Sequence, residues 1–244
     1  MKCKLCHKKK KLRNSHIIPE FFYKYTYSSS HKVSVVSTGK ISREFLNLQK
    51  GLREKLLCQD CEQLFSPWEK YVCETLFMTP QKGQSNNHLI KIEGLDYKKF
   101  KLFGLSLIWR ASVSSNRFFR DINLGSHENT IRNKLIQNEP GDEIEYPMVL
   151  SAIRMDNAPI IDLITEPETL SDDGFTYFRF FLGSFFWVFV ISENASAFRL
   201  SDFYLKQDGT VLIPKMAAEK MEFFLEFSKR ILSRGEIKDH HKNE

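Results

Sequence analysis

Two short stretches decide the fold of the first part of this chain: CKLCHKKKKLRNSHIIP at residues 3–19 and LCQDCE at residues 57–62. Each contains a Cys-x-x-Cys pair. A tight turn of this kind presents two thiolates on one side and leaves room for a second pair from a distant segment. Because zinc prefers four tetrahedral ligands, the two pairs together predict one structural zinc ion. The predicted ligands are Cys3, Cys6, Cys58 and Cys61.

Cysteine usage and apolar patterning indicate a protein of a reducing compartment. The chain has five cysteines, an odd number, and four of them form the two pairs instead of the scattered spacing of a disulfide framework. The N-terminus lacks the apolar core of a signal peptide, and the apolar stretch at residues 180–191 is too short to span a bilayer. We therefore expect a cytoplasmic protein without a membrane segment. The fifth cysteine, Cys73, is expected to be a buried apolar residue.

Positive charge is concentrated in the first part of the chain. Residues 1–60 contain 14 Lys and Arg against four Asp and Glu, a net +10, whereas residues 61–244 contain 22 against 26, a net −4. A cationic module joined to a mildly acidic body indicates a polyanionic partner, with nucleic acid as the first candidate. Ordinary solubilising lysine is the alternative. The residues predicted to hold phosphate are Lys8, Lys9, Lys10, Lys11 and Arg13.

The chain is predicted to divide at a polar, aperiodic linker over residues 79–87. We expect a zinc module at residues 1–80, a larger α+β domain with an antiparallel sheet at 88–236, and a disordered tail at 237–244. In the module, a strand should end at His16 and one short helix should begin near Gln59. A second helix should begin at Pro67, with Ser66 as its N-cap and Glu69 completing a capping box.

The second part shows helix and hairpin patterns but little visible chemistry. Asp96 is a suitable N-cap for a largely buried helix over residues 97–113. Turns at residues 183–184 and 208–209 predict two hairpins, the first of type II′ and the second within residues 203–213, and residues 217–232 fit a final helix. Trp109-Arg110 and His127 are interpreted as packing residues and given no functional role.

The order of elements in the first part is that of a treble-clef zinc site: a knuckle, a hairpin carrying a histidine, and a helix that opens with the second cysteine pair. The chain here resembles the HNH, or ββα-metal, endonuclease superfamily. The motifs that carry the resemblance are Cys-x-x-Cys at residues 3–6, His-Ile-Ile-Pro at 16–19 and Leu-Cys-x-x-Cys at 57–61. They cover only roughly the first 70 residues.

The resemblance implies that His16 is a general base that activates water for attack on a scissile phosphate. It also implies a divalent cation held by the residue before this histidine, usually Asp, and by a His or Asn near the last cysteine. Ser15 and Glu62 stand at these positions. Glu62 can still bind Mg²⁺ or Mn²⁺, with Asn14 or Ser15 as weak helpers. A hydrogen-bonding role for His16 and a helix-terminus role for Glu62 stay open.

Three hypotheses for function follow. The leading one is a metal-dependent HNH-like endonuclease that acts on DNA more readily than on RNA, which the resemblance would connect to bacterial restriction or anti-phage defence, with a protein or ligand regulator acting through the second domain. The second is a non-catalytic zinc module that binds nucleic acid or a protein, and Ser15 is the main argument for it. In the third, zinc only stabilises an N-terminal extension, and the function lies in residues 88–244.

Overall fold

The computed structural model describes residues 1–26, 33–36, 45–48, 51–78, 84–155, 158–159, 163–221 and 224. Within these residues the fold is mixed α+β. The helices are α1 (Glu20–Thr26), α2 (Gln59–Cys73), α3 (Tyr97–Val113) and α4 (His127–Gln137). The strands are β1 (Leu12–His16), β2 (Val33–Val36), β3 (Phe45–Leu48), β4 (Arg53–Cys58), β5 (Gln84–Ser85), β6 (Leu89–Ile92), β7 (Met148–Met155), β8 (Ala158–Pro159), β9 (Leu163–Thr165), β10 (Glu168–Asp172), β11 (Phe175–Leu182), β12 (Phe185–Val190) and β13 (Val211–Ala217).

A two-stranded antiparallel ribbon of β1 and β4 carries the residues of interest in the first part. His16 is the last residue of β1, as predicted, and its register partner on β4 is Arg53. Asn14 is paired in the same way with Lys55. Because side chains alternate between the two faces of a strand, these four residues share one face of the ribbon.

The His-Ile-Ile-Pro motif turns the chain from this ribbon into the core. Ile17 and Ile18 are fully buried, and the Ile17 backbone N–H donates to the Leu52 carbonyl at 3.0 Å. Pro19 has no N–H to donate and directly precedes α1, where such a residue costs least. The motif therefore anchors the end of β1, so the apolar pair fixes where the histidine stands.

Helix α2 is one continuous helix, so the prediction of two helices with Ser66 as a cap is wrong. Pro67 lies inside it and removes one intrahelical hydrogen bond. The buried side chains of α2 nevertheless recur at helical spacing on both sides of this proline, at Cys61, Phe65, Trp68 and Val72. Burial of that continuous stripe outweighs the local cost of the proline. A π-helical turn, Glu74–Met78, follows.

The sheet of the second part is mixed, which corrects the expected antiparallel arrangement. Among the described residues it has 11 strands, and its main path runs β3-β2-β9-β11-β12-β7-β13-β6-β5. Most neighbours are antiparallel, but β13 runs parallel to β7, and β2 runs parallel to β9. Strand β2 belongs to the first part of the sequence and β9 to the second, so the sheet crosses the predicted boundary.

Two turn predictions need correction. Gly183 and Ser184 do join β11 to β12, but both have positive φ, 57° and 72°, which defines a type I′ turn. The hairpin predicted within residues 203–213 is absent from these described residues. Ser201–Phe203 forms a 3₁₀ turn, and β13 pairs instead with β6 and β7. Sequence pattern identified the turn residues here but not the partner strand.

Other predictions fall partly outside the described residues. Helix α3 matches its predicted bounds, and the Asp96 side chain accepts from the Lys99 backbone N–H at its start. In the predicted linker, residues 84–85 form β5, while 79–83 lie outside the description. Of the predicted final helix, Ala217 belongs to β13 and residues 218–220 form a 3₁₀ turn. The rest of that helix, except residues 221 and 224, and the tail at 237–244 lie outside the described residues.

One hydrophobic cluster contains side chains from both predicted parts. Phe22 of α1 packs edge-on against Trp187 of β12, with ring centroids 5.8 Å apart, and Phe65 of α2 packs against Trp109 of α3. Polar bonds join the parts as well, since Arg132 Nε donates to the Leu5 carbonyl at 2.6 Å. The first part of the chain therefore shares its core with the second, and the predicted boundary stays a prediction.

Lys101 lies among the buried side chains of α3, with only 2% of its surface exposed. Its Nζ donates to the Glu145 carbonyl at 2.7 Å. The pKa of Lys101 is lowered to about 7, mainly by burial and also by the nearby Lys134 charge, while neighbouring carboxylates oppose the shift. The unfolded chain therefore binds a proton between pH 7 and about 10.4 that the folded chain does not bind.

Lys101→Met is expected to remove a pH dependence of folding stability. From pH 7.5 to 9.5 this lysine should raise the wild-type free energy of unfolding by about 1 kcal/mol per pH unit, because the unfolded state binds more protons. Urea unfolding of both proteins across this range measures the difference. If the two free energies keep a constant difference with pH, Lys101 is not the group that titrates.

None of the helices within the described residues is both long and apolar enough to cross a membrane.

Candidate functional site

The four predicted zinc ligands come together in the structure. One sulfur atom from each of Cys3, Cys6, Cys58 and Cys61 lies within 4.8 Å of all the others. The Cys6 and Cys58 sulfurs are 3.8 Å apart. Four thiolates about 2.3 Å from one zinc ion at tetrahedral angles would be separated by about 3.8 Å. The cluster is therefore of the right size and composition to hold one metal ion.

Backbone hydrogen bonds shape the first cysteine pair into a small turn. Lys2 and Lys9 form an isolated antiparallel bridge, and inside it the Cys3 N–H donates to the Lys8 carbonyl at 3.0 Å. His7 has a φ of 59°, and its N–H donates to the Cys3 carbonyl. These bonds turn both thiols of the pair inward, so His7 serves the backbone of the knuckle and stands outside the four-sulfur cluster.

The second pair sits at the junction of β4 and α2. Cys58 ends β4 and is the N-cap residue of α2, and its N–H donates to the Cys3 sulfur at 3.4 Å. Burial raises the pKa of Cys6, but the Lys8 backbone N–H and the neighbouring thiols lower it to about 7. Burial raises the pKa of Cys3 and of Cys61. Hydrogen bonding within the cluster, rather than lysine charge, is thus the main influence that favours a thiolate at Cys6.

An open cleft of about 810 Å³ lies beside this cluster, along the shared face of the β1–β4 ribbon and the start of α2. Its lining brings together the predicted base and the predicted carboxylate with several cations and polar groups. The lining residues are Met1, Lys10, Lys11, Leu12, Arg13, Asn14, His16, Arg53, Lys55, Gln59 and Glu62.

The histidine and the carboxylate stand on different elements that face this cleft. His16 is half-buried with its Nε2 atom buried, and its ring lies 6.3 Å from that of Tyr23. Glu62 lies in the first turn of α2, and its Oε1 atom is buried without a hydrogen-bond partner among the described residues. A buried carboxylate oxygen left without a donor is suited to a cation.

Ser15 faces away from the cleft. It is 2% exposed, and its hydroxyl accepts a hydrogen bond from the Leu57 N–H at 3.1 Å across the ribbon. Alternation along β1 explains this placement, because residues 14 and 16 share the cleft face and residue 15 points to the other. Asn14 is therefore the neighbour of His16 that reaches the cleft, and Ser15 serves the ribbon itself.

The basic residues predicted from the lysine run divide into two groups. Lys10, Lys11 and Arg13 line the cleft, whereas Lys8 and Lys9, also within the described residues, do not. Lys10 forms a salt bridge with the exposed Asp60 at the start of α2. Asp60 compensates part of the Lys10 charge. Of the predicted phosphate-binding residues in the cleft, Lys11 and Arg13 are therefore expected to contribute most.

Sequence reasoning missed Arg53 and Lys55, which add two cations to the cleft. Their register opposite His16 and Asn14 places them there. Alternation gave no signal here, since β4 reads Arg-Glu-Lys and then the buried Leu-Leu-Cys. Pairing with β1 was not visible, so the face to which these cations belong was not visible either.

Arg110 and Glu69, also missed, lie behind the cleft. Arg110 Nη1 donates to Glu69 Oε1 at 2.7 Å and to the His16 carbonyl oxygen at 3.0 Å. Burial raises the pKa of Glu69, the Arg110 charge opposes this shift, and the Glu62 charge adds to it. Cys73, at the end of α2, is half-buried rather than fully buried and is not part of the sulfur cluster.

Comparison with known proteins finds no match to this chain among family models, curated proteins or solved structures. The comparisons thus neither support nor oppose the resemblance to HNH endonucleases, which continues to depend on the motifs of the first part. The sulfur cluster and the cleft beside it are therefore the features that bear on function.

Proposed function

We propose that this protein is a metal-dependent endonuclease that hydrolyses a phosphodiester in the cleft beside the cysteine cluster. The main observation behind the proposal is the lining of that cleft, which contains His16, Glu62 and five cationic side chains. A proton acceptor, a carboxylate and a row of cations are the groups that phosphodiester hydrolysis requires. DNA is the preferred substrate in this proposal.

The cations would bind and orient the substrate. Lys11 directly precedes β1 and Arg13 lies in it, while Arg53 and Lys55 lie in β4, so positive charge from both strands lines the cleft. Phosphate contacts of this kind are independent of base sequence. Arg53 is the register partner of His16, and it is therefore the cation best placed to contact the phosphate under attack.

His16 would act as the general base. It accepts a proton from water while the water oxygen forms its bond to phosphorus, and the bond from phosphorus to the leaving oxygen breaks. The Ile17–Ile18 anchor and the ribbon hold the histidine in place, which reduces the reorganisation that the reaction needs. The leaving oxygen takes a proton from solvent, which the open cleft admits.

Glu62 is proposed to hold the divalent cation, with the Asn14 amide as a second oxygen donor. Both line the cleft, and the buried Glu62 oxygen without a donor fits a hard cation such as Mg²⁺ or Mn²⁺. When bound, such a cation would stabilise charge that develops on the phosphate and on the leaving oxygen. The cysteine cluster is proposed to hold a structural zinc ion, whose four-thiolate site leaves no position open for substrate.

The test is incubation of the purified protein, loaded with one zinc equivalent, with supercoiled plasmid DNA and with RNA in Mg²⁺, in Mn²⁺ and in EDTA. We expect nicked plasmid in either divalent cation and none in EDTA. Cleavage of RNA but not DNA would keep the chemistry and change the substrate. The proposal fails if neither nucleic acid is cut with either cation.

A second candidate is a zinc module that binds nucleic acid without cutting it. The placement of Ser15 favours this candidate, because the residue at the position of the usual metal-binding Asp is turned away from the cleft and bonded to the Leu57 backbone. Among the described residues, Glu62 is the only carboxylate that lines the cleft, so a cation there would have a single acidic ligand. The cleavage test separates the candidates, since a binding module retains the salt-dependent affinity and lacks the nicking.

Both candidates predict that the cleft cations control the salt dependence of DNA binding. The double variant Lys11→Ala with Arg13→Ala should reduce the slope of log affinity against log salt by about 2, since each lost phosphate contact removes about 0.9. The matched control is Lys8→Ala with Lys9→Ala, which removes the same charge outside the cleft lining. Fluorescence anisotropy with a labelled duplex measures both slopes. Equal reductions would show that general charge, not the cleft, binds DNA.

A further inference from the structure

Arg110 belongs to α3, in the part of the chain that the sequence left without a function, but its side chain reaches the first part. It is 2% exposed and lies with its guanidinium 5.4 Å from the centre of the Phe65 ring on α2. A charged group this deeply buried costs free energy unless its donors are satisfied. The partners that satisfy it therefore indicate what it holds in place.

Its partners are the two elements that carry the proposed catalytic residues. Nη1 donates to the carbonyl oxygen of His16, at the end of β1, at 3.0 Å and to Glu69 Oε1, on α2, at 2.7 Å. On its own helix, Nε donates to the Ser106 carbonyl at 3.2 Å. One planar, rigid fork thus joins α3 to β1 and to α2.

Glu69 connects this fork to the cleft carboxylate. Glu62 and Glu69 are seven residues apart on α2, two helical turns, and so they lie on the same face of the helix. The charge of Glu62 acts on Glu69 and raises its pKa, while Arg110 acts in the opposite direction. Arg110 therefore places a positive charge next to Glu69, and Glu69 in turn shares a face of α2 with Glu62, the carboxylate that lines the cleft.

We propose that Arg110 is a positioning residue for the cleft: it fixes the His16 backbone relative to α2 and so sets His16 against Glu62. Its kinetic consequences rest on the proposed nuclease function, but the placement of the His16 ring does not. Through this contact the second part of the chain controls the geometry of a site that is made entirely from the first part.

The experiment uses full-length, zinc-loaded protein with two variants of Arg110. Arg110→Lys keeps a cation but loses the fork. Arg110→Met combined with Glu69→Gln removes both charges together, so that neither is left buried alone. We expect each to lower kcat for plasmid cleavage about 10–100-fold, as misplacement by about 1 Å can do, with KM within about threefold of wild type. Activities are compared well below the melting temperature of each variant.

The matched control is Arg179→Lys, made in another arginine that pairs with a glutamate and lies over a phenylalanine ring. Arg179 Nε donates to Glu168 Oε2 at 2.9 Å, and its guanidinium is 4.8 Å from the Phe186 ring centre, within the sheet of the second part. A role in stability alone predicts similar results for the two Arg→Lys variants, with kcat preserved in the folded protein.

An activity-independent measurement separates failure of this proposal from failure of the nuclease proposal. The Cε1–H resonance of His16, identified by its loss in His16→Ala, should shift or broaden in Arg110→Lys, while those of His88 and His127 stay in place. If the wild type does not cut but this resonance responds, the nuclease proposal fails and the positioning role stands. An unchanged His16 resonance overturns the positioning role, as does a wild-type kcat in both Arg110 variants.

Discussion

Replacing His16 by alanine is expected to lower kcat for plasmid cleavage by about 10²–10⁴-fold, the usual contribution of a general base. The histidine ends β1 in a cleft that also contains Glu62 and Arg53, and no other histidine among the described residues lines that cleft. The affinity for DNA should change little, because phosphate contacts come from the lysines and arginines. Initial nicking rates at saturating DNA, measured in Mg²⁺, give the comparison.

The control for this variant is His88→Ala, which removes an exposed histidine from the second part. Both variants must retain one zinc equivalent and the wild-type melting temperature. The substitution leaves the buried Ile17 and Ile18 unchanged, so the fold should tolerate the loss of the imidazole. Equal nicking by wild type and His16→Ala would remove this residue from the mechanism.

Replacing Cys58 and Cys61 together by serine is expected to abolish zinc binding and to destabilise the first part of the fold. Cys3, Cys58 and Cys61 are buried in the common hydrophobic cluster, and the four sulfurs connect the N-terminal turn to the β4–α2 junction. We expect the free energy of unfolding to fall by about 4 kcal/mol, well below the ~10–16 kcal/mol with which zinc binds isolated zinc fingers. For a chain of this size, such a loss lowers the melting temperature by about 8–16 °C.

Elemental analysis and thermal unfolding test this prediction together. Zinc content should fall from about one equivalent per chain to near zero, and the melting temperature should fall with it. Cys73→Ser is the matched control, since Cys73 is the one described cysteine outside the cluster, and it should leave zinc content unchanged. A double variant that retains a full equivalent would show that other residues bind the metal.

The features that sequence predicted well are those encoded within a few neighbouring residues. The two cysteine pairs gave the cluster because a Cys-x-x-Cys turn fixes two ligands locally. Helix α3 was predicted with its bounds because Asp96 caps it and an apolar stripe follows. The end of β1 at His16 was predicted from the apolar pair and proline that come directly after it.

The features that sequence could not predict depend on which segments meet. Arg53 joins the cleft through its register with β1, and Arg110 contacts the His16 carbonyl from 94 residues away. No local pattern encodes either contact. The single helix α2 was missed for a related reason. Burial of its apolar face stabilises the helix by more than Pro67 destabilises it, and helix propensity does not include the free energy of that burial.

The same division applies to the carboxylates of the site. Glu62 was identified because it directly follows Cys61 in a motif, whereas Glu69 was expected only to cap a helix that does not begin there. The structure instead gives Glu69 a buried guanidinium partner. Polar residues on a helix face acquire their roles from the neighbour across the interface, which the sequence of that helix does not contain.

The most direct test of the nuclease proposal is nicking of supercoiled plasmid by zinc-loaded wild type and His16→Ala, side by side, in Mg²⁺ and in EDTA. We expect nicking by the wild type in Mg²⁺ and none in EDTA, and a loss of the Mg²⁺-dependent nicking in the variant at full zinc occupancy. Failure of the wild type to cut either plasmid or RNA in Mg²⁺ or Mn²⁺, or equal nicking by both proteins, would contradict the proposal.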